Sequence, residues 1–321
     1  MTQAVQLAQY GSNNVGLSFK NRIINGNMVI SQRNGGTTFT TPATFANVYT
    51  LDRWAYFASV GTRYTVQQNA GAVTPPTGFS NYIGITSTAA TTFGATDLFL
   101  LRQFIEGFNV TDLAWGTASA VPVTLSFWVR SSLTGSFTGA ISAGATSNSY
   151  PFTYTVNSAN TWQYITVPIP ETTVYALGTG NTVGLQVNFT LGAGSSNLSA
   201  TSAWAAGPFG ITGSVFPLST NGATLYITGV QLEKGTVATS FDYLPYSTQL
   251  MLCQRYYEQS SSFLAINSNN YSSYNFIVPK RASAAVTISA GTQGSVTADS
   301  LGFQCTGTST VSFNYKASAE L

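Results

Sequence analysis

Five side chains carry most of the chemistry this sequence can offer: Trp128, Arg130, Gln186, Asn188 and Tyr226. Trp128 and Arg130 alternate with Phe127 and Val129, which places them on the polar face of a strand. Gln186 and Asn188 hold the same position among Leu185, Val187 and Phe189, and Tyr226 lies opposite Leu225 and Ile227. A flat ring beside amides and a guanidinium suits a sugar, whose apolar CH faces stack while its hydroxyls meet planar donors. The same face would serve equally as a contact covered by a neighbouring subunit or loop. The glycan reading also needs the three strands to share one sheet, which residue order alone does not decide.

Catalytic chemistry finds little material. The chain contains no histidine, which removes the usual general base, the usual zinc ligand and every Ser-His or Cys-His pair. No phosphate-cradling glycine loop sits between a strand and a helix. Among ten acidic residues, Asp97, Glu106 and Asp112 share a region and are candidates for a paired-carboxylate glycosidase. Isolated acids at strand ends, however, normally cap turns or face water. No Asp-x-Asp-x-Asp/Asn loop points to calcium. Cys253 and Cys305 show no CxxC or Cys/His spacing and read as buried free thiols. The expectation is a non-enzyme with no catalytic residue, metal or cofactor.

The composition says what kind of surface holds these residues. Only 7% of the 321 residues are charged, against about 25% in an average soluble protein. No apolar run reaches the roughly 18 residues of a spanning helix, so membrane insertion is not expected. Polarity comes from hydroxyl and amide side chains, and such a surface has little charge repulsion to resist association. Self-assembly is therefore expected. The net charge of +2 is scattered without a basic cluster, which argues against nucleic acid. No basic stretch followed by an apolar core opens the chain, so maturation in a cytoplasm is expected.

These residues need strands to position them, and strands dominate the pattern. The organising stretch is Ala223–Gln259: a strand to Leu232, a bend closed by Leu244-Pro245, then an amphipathic helix built on Leu250, Met251, Leu252 and Tyr256. Before it, about ten short strands separated by Gly, Ser, Asn and Pro predict a two-sheet jelly roll. Tyr49–Phe57 reads as the first of them and Pro122–Ser131 as the cleanest. After it, residues 260–321 predict a small β domain. The expected organisation is an N-terminal attachment arm (1–44), a jelly-roll β-sandwich (45–247), a connecting helix (248–259) and the small C-terminal β domain, all-β apart from the helix.

Several motifs occur in a telling order: Asn21-Arg22-Ile23-Ile24-Asn25-Gly26-Asn27-Met28, Asp52-Arg53-Trp54, Gln103-Phe104-Ile105-Glu106-Gly107, Leu125 to Ser131, Thr161-Trp162-Gln163-Tyr164, Gly229 to Tyr243, and Cys253-Gln254-Arg255-Tyr256-Tyr257. Together they resemble bacteriophage virion structural proteins with a carbohydrate-binding-module-like jelly roll. The resemblance implies a tail fibre, head fibre or capsid decoration, often homotrimeric, assembled in the host bacterial cytoplasm and resident on the virion. Its partners would be copies of itself, other virion proteins met through the N-terminal arm, and host surface glycans. A cement protein with no ligand and a dedicated glycan-binding receptor module are the alternatives. No shaft repeat is present, which favours a compact appendage over a long fibre.

Overall fold

The computed structural model describes residues 20–34, 36–40, 44–61, 63–145, 148–260, 264–266, 271–288, 293–307 and 311–321. They form an all-β jelly-roll sandwich, one helix and a smaller set of sheets. The first sheet runs Phe39–Thr40, Tyr64–Gln68, Ile83–Ser87, Thr224–Lys234, Val123–Ser131, Gln163–Ile169. The second runs Ala205–Ala206, Asn148–Val156, Gly135–Ala143, Val183–Ala193, Leu98–Glu106, Trp54–Ala58, Thr44–Leu51. Neighbours in space are mostly distant in sequence, because the chain passes repeatedly from one sheet to the other. Alternation explains the layering: Leu125, Phe127 and Val129 face Leu185, Val187 and Phe189 across the core. Phe127 meets Phe189 edge to face at 5.0 Å.

The expected strand Tyr49–Phe57 is instead a hairpin, Thr44–Leu51 and Trp54–Ala58, turning at Asp52 and Arg53. Arg53 takes φ +69, a left-handed conformation unusual for its type. Its guanidinium is buried, pairs with Glu320, donates to the Phe104 carbonyl and stacks 3.5 Å over Tyr256. The turn follows from drawing that cation inward.

Part of the expected N-terminal attachment arm (1–44) packs on the sandwich. Residues 1–19 lie outside the described residues, but Ile23, Met28 and Ile30 are buried in the sandwich. Asn25 donates to the carbonyls of Ile30 and Asp52, and Gln103 both donates to Ile24 O and accepts from Ile24 N.

The helix spans Tyr246–Gln254, and Tyr257–Gln259 is a strand, so the expected helix over 248–259 starts and ends earlier. Its buried face is Gln249, Cys253 and Gln254 rather than Leu250, Met251 and Leu252; Met251 is exposed. The reason is its neighbour. Gln249 accepts from the Asn25 amide, so the helix docks on polar backbone. Beyond it, Phe276, Phe303, Phe313 and Tyr315 anchor a second, smaller apolar cluster. Ties join this part to the sandwich: Arg255 to Glu106 at 2.6 Å, Arg33 to Glu320 at 2.7 Å, and Tyr49 Oη to Leu321 O at 3.0 Å.

Two outcomes are expected from this network. Glu320→Gln leaves Arg53 charged and buried, so urea denaturation should show a loss of about 3 kcal/mol. Asp52 is held by the Gln32 backbone and side chain. Burial nevertheless pushes its carboxyl from the ordinary 3.8 up to about 6. A carboxyl raised in the fold takes up a proton on folding, so its contribution is fully present below the lower value and is lost as pH rises through the higher one. Asp52→Asn should flatten this component of the stability profile between those two values, measured by denaturant midpoint against pH.

Candidate functional site

Trp128 stands half-buried on the outer face of the first sheet, opposite Tyr164 on one neighbouring strand and Thr228 on the other. Its ring lies 5.4 Å from that of Tyr164, which is 45% exposed on the edge strand. Around this pair is a groove of about 450 Å³, with a floor of Ser126, Trp128, Tyr164 and Gly229. Thr77 and Phe79 form one wall, and Ala238 to Phe241 with Tyr243 form the other. Among the described residues that line it, none is an Asp, Glu, Lys or Arg, and five are aromatic.

Each wall is held by a different device. Gly229 takes φ +62, and a Cβ there would stand 2.6 Å from Phe79 Cζ and 3.1 Å from Trp128 Cδ1. Only a glycine lets both rings close over the backbone at this point. The second wall is pinned by charges beside the groove. Glu233 accepts from Thr239 N at 2.8 Å and from Thr239 Oγ1 at 2.7 Å. Lys20 Nζ donates to Ser240 O at 2.7 Å, and Asp242 accepts from Lys20 N at 3.1 Å. Gln231 accepts from Asp242 N at 2.8 Å. These polar groups satisfy one another and leave the aromatic faces of Phe241 and Tyr243 to form the wall.

The other candidate residues divide. Arg130 shares the face of Trp128, one row along, where its Nε donates to Asn160 O at 3.0 Å and its guanidinium lies 5.5 Å over Tyr226. Tyr226 is 4% exposed and packs on Tyr82 at 5.1 Å, which makes it part of a small core beneath the loop after Gln68 rather than an open platform. Gln186 and Asn188 are not in this site. They belong to the second sheet, where both are buried and donate to the carbonyls of Gly144 and Ala140. The outer face of that sheet is covered by the returning chain: Thr190 Oγ1 donates to Phe209 O, Ser149 Oγ to Pro208 O, and Phe209 and Phe216 pack on Leu100. Their amides therefore satisfy internal backbone.

The three carboxylates have separate partners. Asp97 accepts from Gly94 N and Ser59 Oγ, Glu106 from Arg255 and Tyr256, and Asp112 from Arg22. Burial pushes the Glu106 carboxyl up, but the Arg255 and Tyr256 hydrogen bonds outweigh it and leave it below the ordinary value. Among the described residues no three Cys, Asp or Glu side chains gather as a metal site, and both cysteines are buried. A second hollow, about 490 Å³, lies by Tyr274, Asp299 and Gln304; Asp299 there is bound to the Leu301 and Gly302 amides, and Phe303 belongs to the local core.

Phe79, Tyr164, Gly229, Phe241 and Tyr243 are the groove residues that reasoning on the candidate set missed. A signal existed for some of them, since Tyr164 alternates with the inward Ile165 and Val167, and Phe241 and Tyr243 lie two apart in a charge-poor bend.

No family model and no curated protein matches the sequence. Among solved structures, the chain is similar to the enzymatically active domain of bacteriophage CBA120 tailspike protein 4, with TM-score 0.35 and 12% identity over 67% of this chain and 21% of that one. It thus spans about a fifth of that domain. It is similar to a family 4 carbohydrate-binding module, with TM-score 0.31 and 15% identity over 65% and 97% of the two chains. A family 11 carbohydrate-binding module from Clostridium thermocellum, solved with a β-1,3-1,4-mixed-linked tetrasaccharide, gives 0.30 and 12% over 62% and 97%.

Gly229→Ala tests the construction of the groove. The added Cβ meets Phe79 in a left-handed backbone conformation, which costs about 1–2 kcal/mol before the contact is counted. A drop of about 2 kcal/mol or more in urea denaturation is expected, with a shift in tryptophan emission as Phe79 leaves Trp128.

Proposed function

We propose that this chain is a non-enzymatic, glycan-contacting β-sandwich displayed on a bacteriophage particle as a compact trimeric appendage. The observation that carries the glycan part is the groove: two outward rings, Trp128 and Tyr164, on a rigid sheet between aromatic walls. Such a surface binds sugar CH faces by stacking and leaves hydroxyls to water and nearby hydroxyl donors. Its volume lies within the range of small-ligand sites. The non-enzymatic part is supported by the absence of histidine and by the dispersal of Asp97, Glu106 and Asp112 among structural partners. The particle assignment rests on the ordered motifs, and the trimer on these and the charge-poor surface.

A glycan array followed by titration calorimetry tests the reading. Trp128→Ala should weaken binding about tenfold, ~1.4 kcal/mol, with a melting curve confirming that the variant is folded at the assay temperature. Glycan binding that ignores this substitution would move the site elsewhere, and an array without any binder would leave a structural cement role. Light scattering of the full chain should give the mass of three copies.

A further inference from the structure

The groove is blocked on one side by an aromatic junction, which bears on the part of a glycan that fits and rests on the glycan reading above. Toward the closing strand of the sandwich, Thr224–Lys234, Phe79 meets Phe241 at 5.1 Å and Tyr243 at 5.6 Å, and the latter two meet at 4.9 Å. This trio joins the two walls directly above Gly229. The junction is tight: a Cβ on Gly78 would stand 2.6 Å from the Tyr243 hydroxyl, and one on Gly229 2.6 Å from Phe79 Cζ. It is also held from below, because Asp242, between the two wall rings, is fixed by Lys20, Asn21 and Gln231. Along the strand, Ser126 is only 2% exposed beside the Thr239–Ser240 wall. An open direction lies over the edge strand Gln163–Ile169, beyond which the sheet has no further strand among the described residues. There Tyr164, Thr166 and Pro168 are exposed.

We propose that the groove receives the terminal sugar of a glycan. The chain enters over Tyr164, stacks its last unit on Trp128, and stops against Phe79, Phe241 and Tyr243. An internal segment of a polysaccharide running across the strands past Trp128 would have to pass through that aromatic junction.

Matched glycans test the proposal. Each array binder is compared by calorimetry with the same glycan extended by one sugar beyond its recognised end, using the full chain, Trp128→Ala and Tyr243→Ala. Tyr243 is 54% exposed, so its removal opens the stop while a melting curve confirms the fold. The expected result is a loss of about tenfold or more on extension in the wild type. Trp128→Ala should weaken binding of the unextended glycan about tenfold, and Tyr243→Ala should recover part of the extended one. Equal binding of both forms, lost together in Trp128→Ala, overturns the terminal mode and leaves the glycan reading standing. Failure of Tyr243→Ala to recover the extended form, while it still binds the unextended one, counts against the stop. Binding indifferent to Trp128→Ala, or none at all, overturns both.

Discussion

The closing strand breaks its pairing at Gly229, and both sides of the first sheet depend on that break. Thr228 pairs with Trp128, the next pairing is Gln231 with Ser126, and Val230 is left over. Beyond Ile227 the strand has also lost its other partner, Ile83–Ser87. Freed backbone groups buried in a sandwich must find donors and acceptors. The N-terminal segment supplies them: Val230 N donates to Gly26 O at 2.9 Å, Asn21 Nδ2 to Val230 O at 3.1 Å, and Arg22 N to Leu232 O at 2.9 Å. A Cβ on Gly26 would stand 2.1 Å from Val230 O, so only glycine can approach this closely. On the outer face the same irregularity seats Phe79. One bulge thus captures the Lys20–Met28 strip and creates the blind end of the groove.

Charge is scarce in this chain, and much of it is inside. Arg53 with Glu320, Glu106 with Arg255, and Lys280 with Glu258 are ion pairs with at least one buried partner. Such pairs are poor evidence of net stability, because desolvation offsets most of the attraction. Their value is directional. A planar guanidinium stacked on Tyr256 and bound to Glu320 tolerates one arrangement of the hairpin turn, the helix exit and the Ala319–Leu321 segment. Lys20, Glu233 and Asp242 do the same for the groove wall. With so many charges committed, the surface is left to Ser, Thr and Asn.

The alternation of Val123–Ser131 and Val183–Ala193 was legible because a half-buried strand writes a period of two. The closing strand and the bend before the helix were legible from β-branched residues and Leu244-Pro245. The two-residue turn at Asp52–Arg53 was not, since its cause, Glu320, lies 267 positions away. Nor was the partition of polar faces. Trp128, Gln186 and Asn188 look alike in sequence, each polar-facing among inward aliphatics, yet one faces a groove and two are buried against the carbonyls of Gly144 and Ala140. A period of two reports a face, not what covers it. The groove walls were hidden for a related reason: they come from loops, whose positions depend on glycine conformations and long-range hydrogen bonds.

That same distinction bears on whether the Trp128 face is a ligand site or a subunit contact. A stable contact between sandwiches buries roughly 800 Å² on each partner, and it does so best across a broad, fairly flat surface. Here Trp128 is half-buried, while Tyr164 is exposed at the edge strand. Phe79 and Thr77 rise on one side, Phe241 and Tyr243 on the other, and the two walls meet at one end. A flat sheet would meet these walls before it met Trp128, whereas a group the size of a sugar fits between them. A narrow loop from another copy would have to insert end-on from the edge strand, the same path that the geometry leaves for a glycan terminus. The walls beside Trp128, rather than the identity of the tryptophan, are therefore what weighs toward a small ligand.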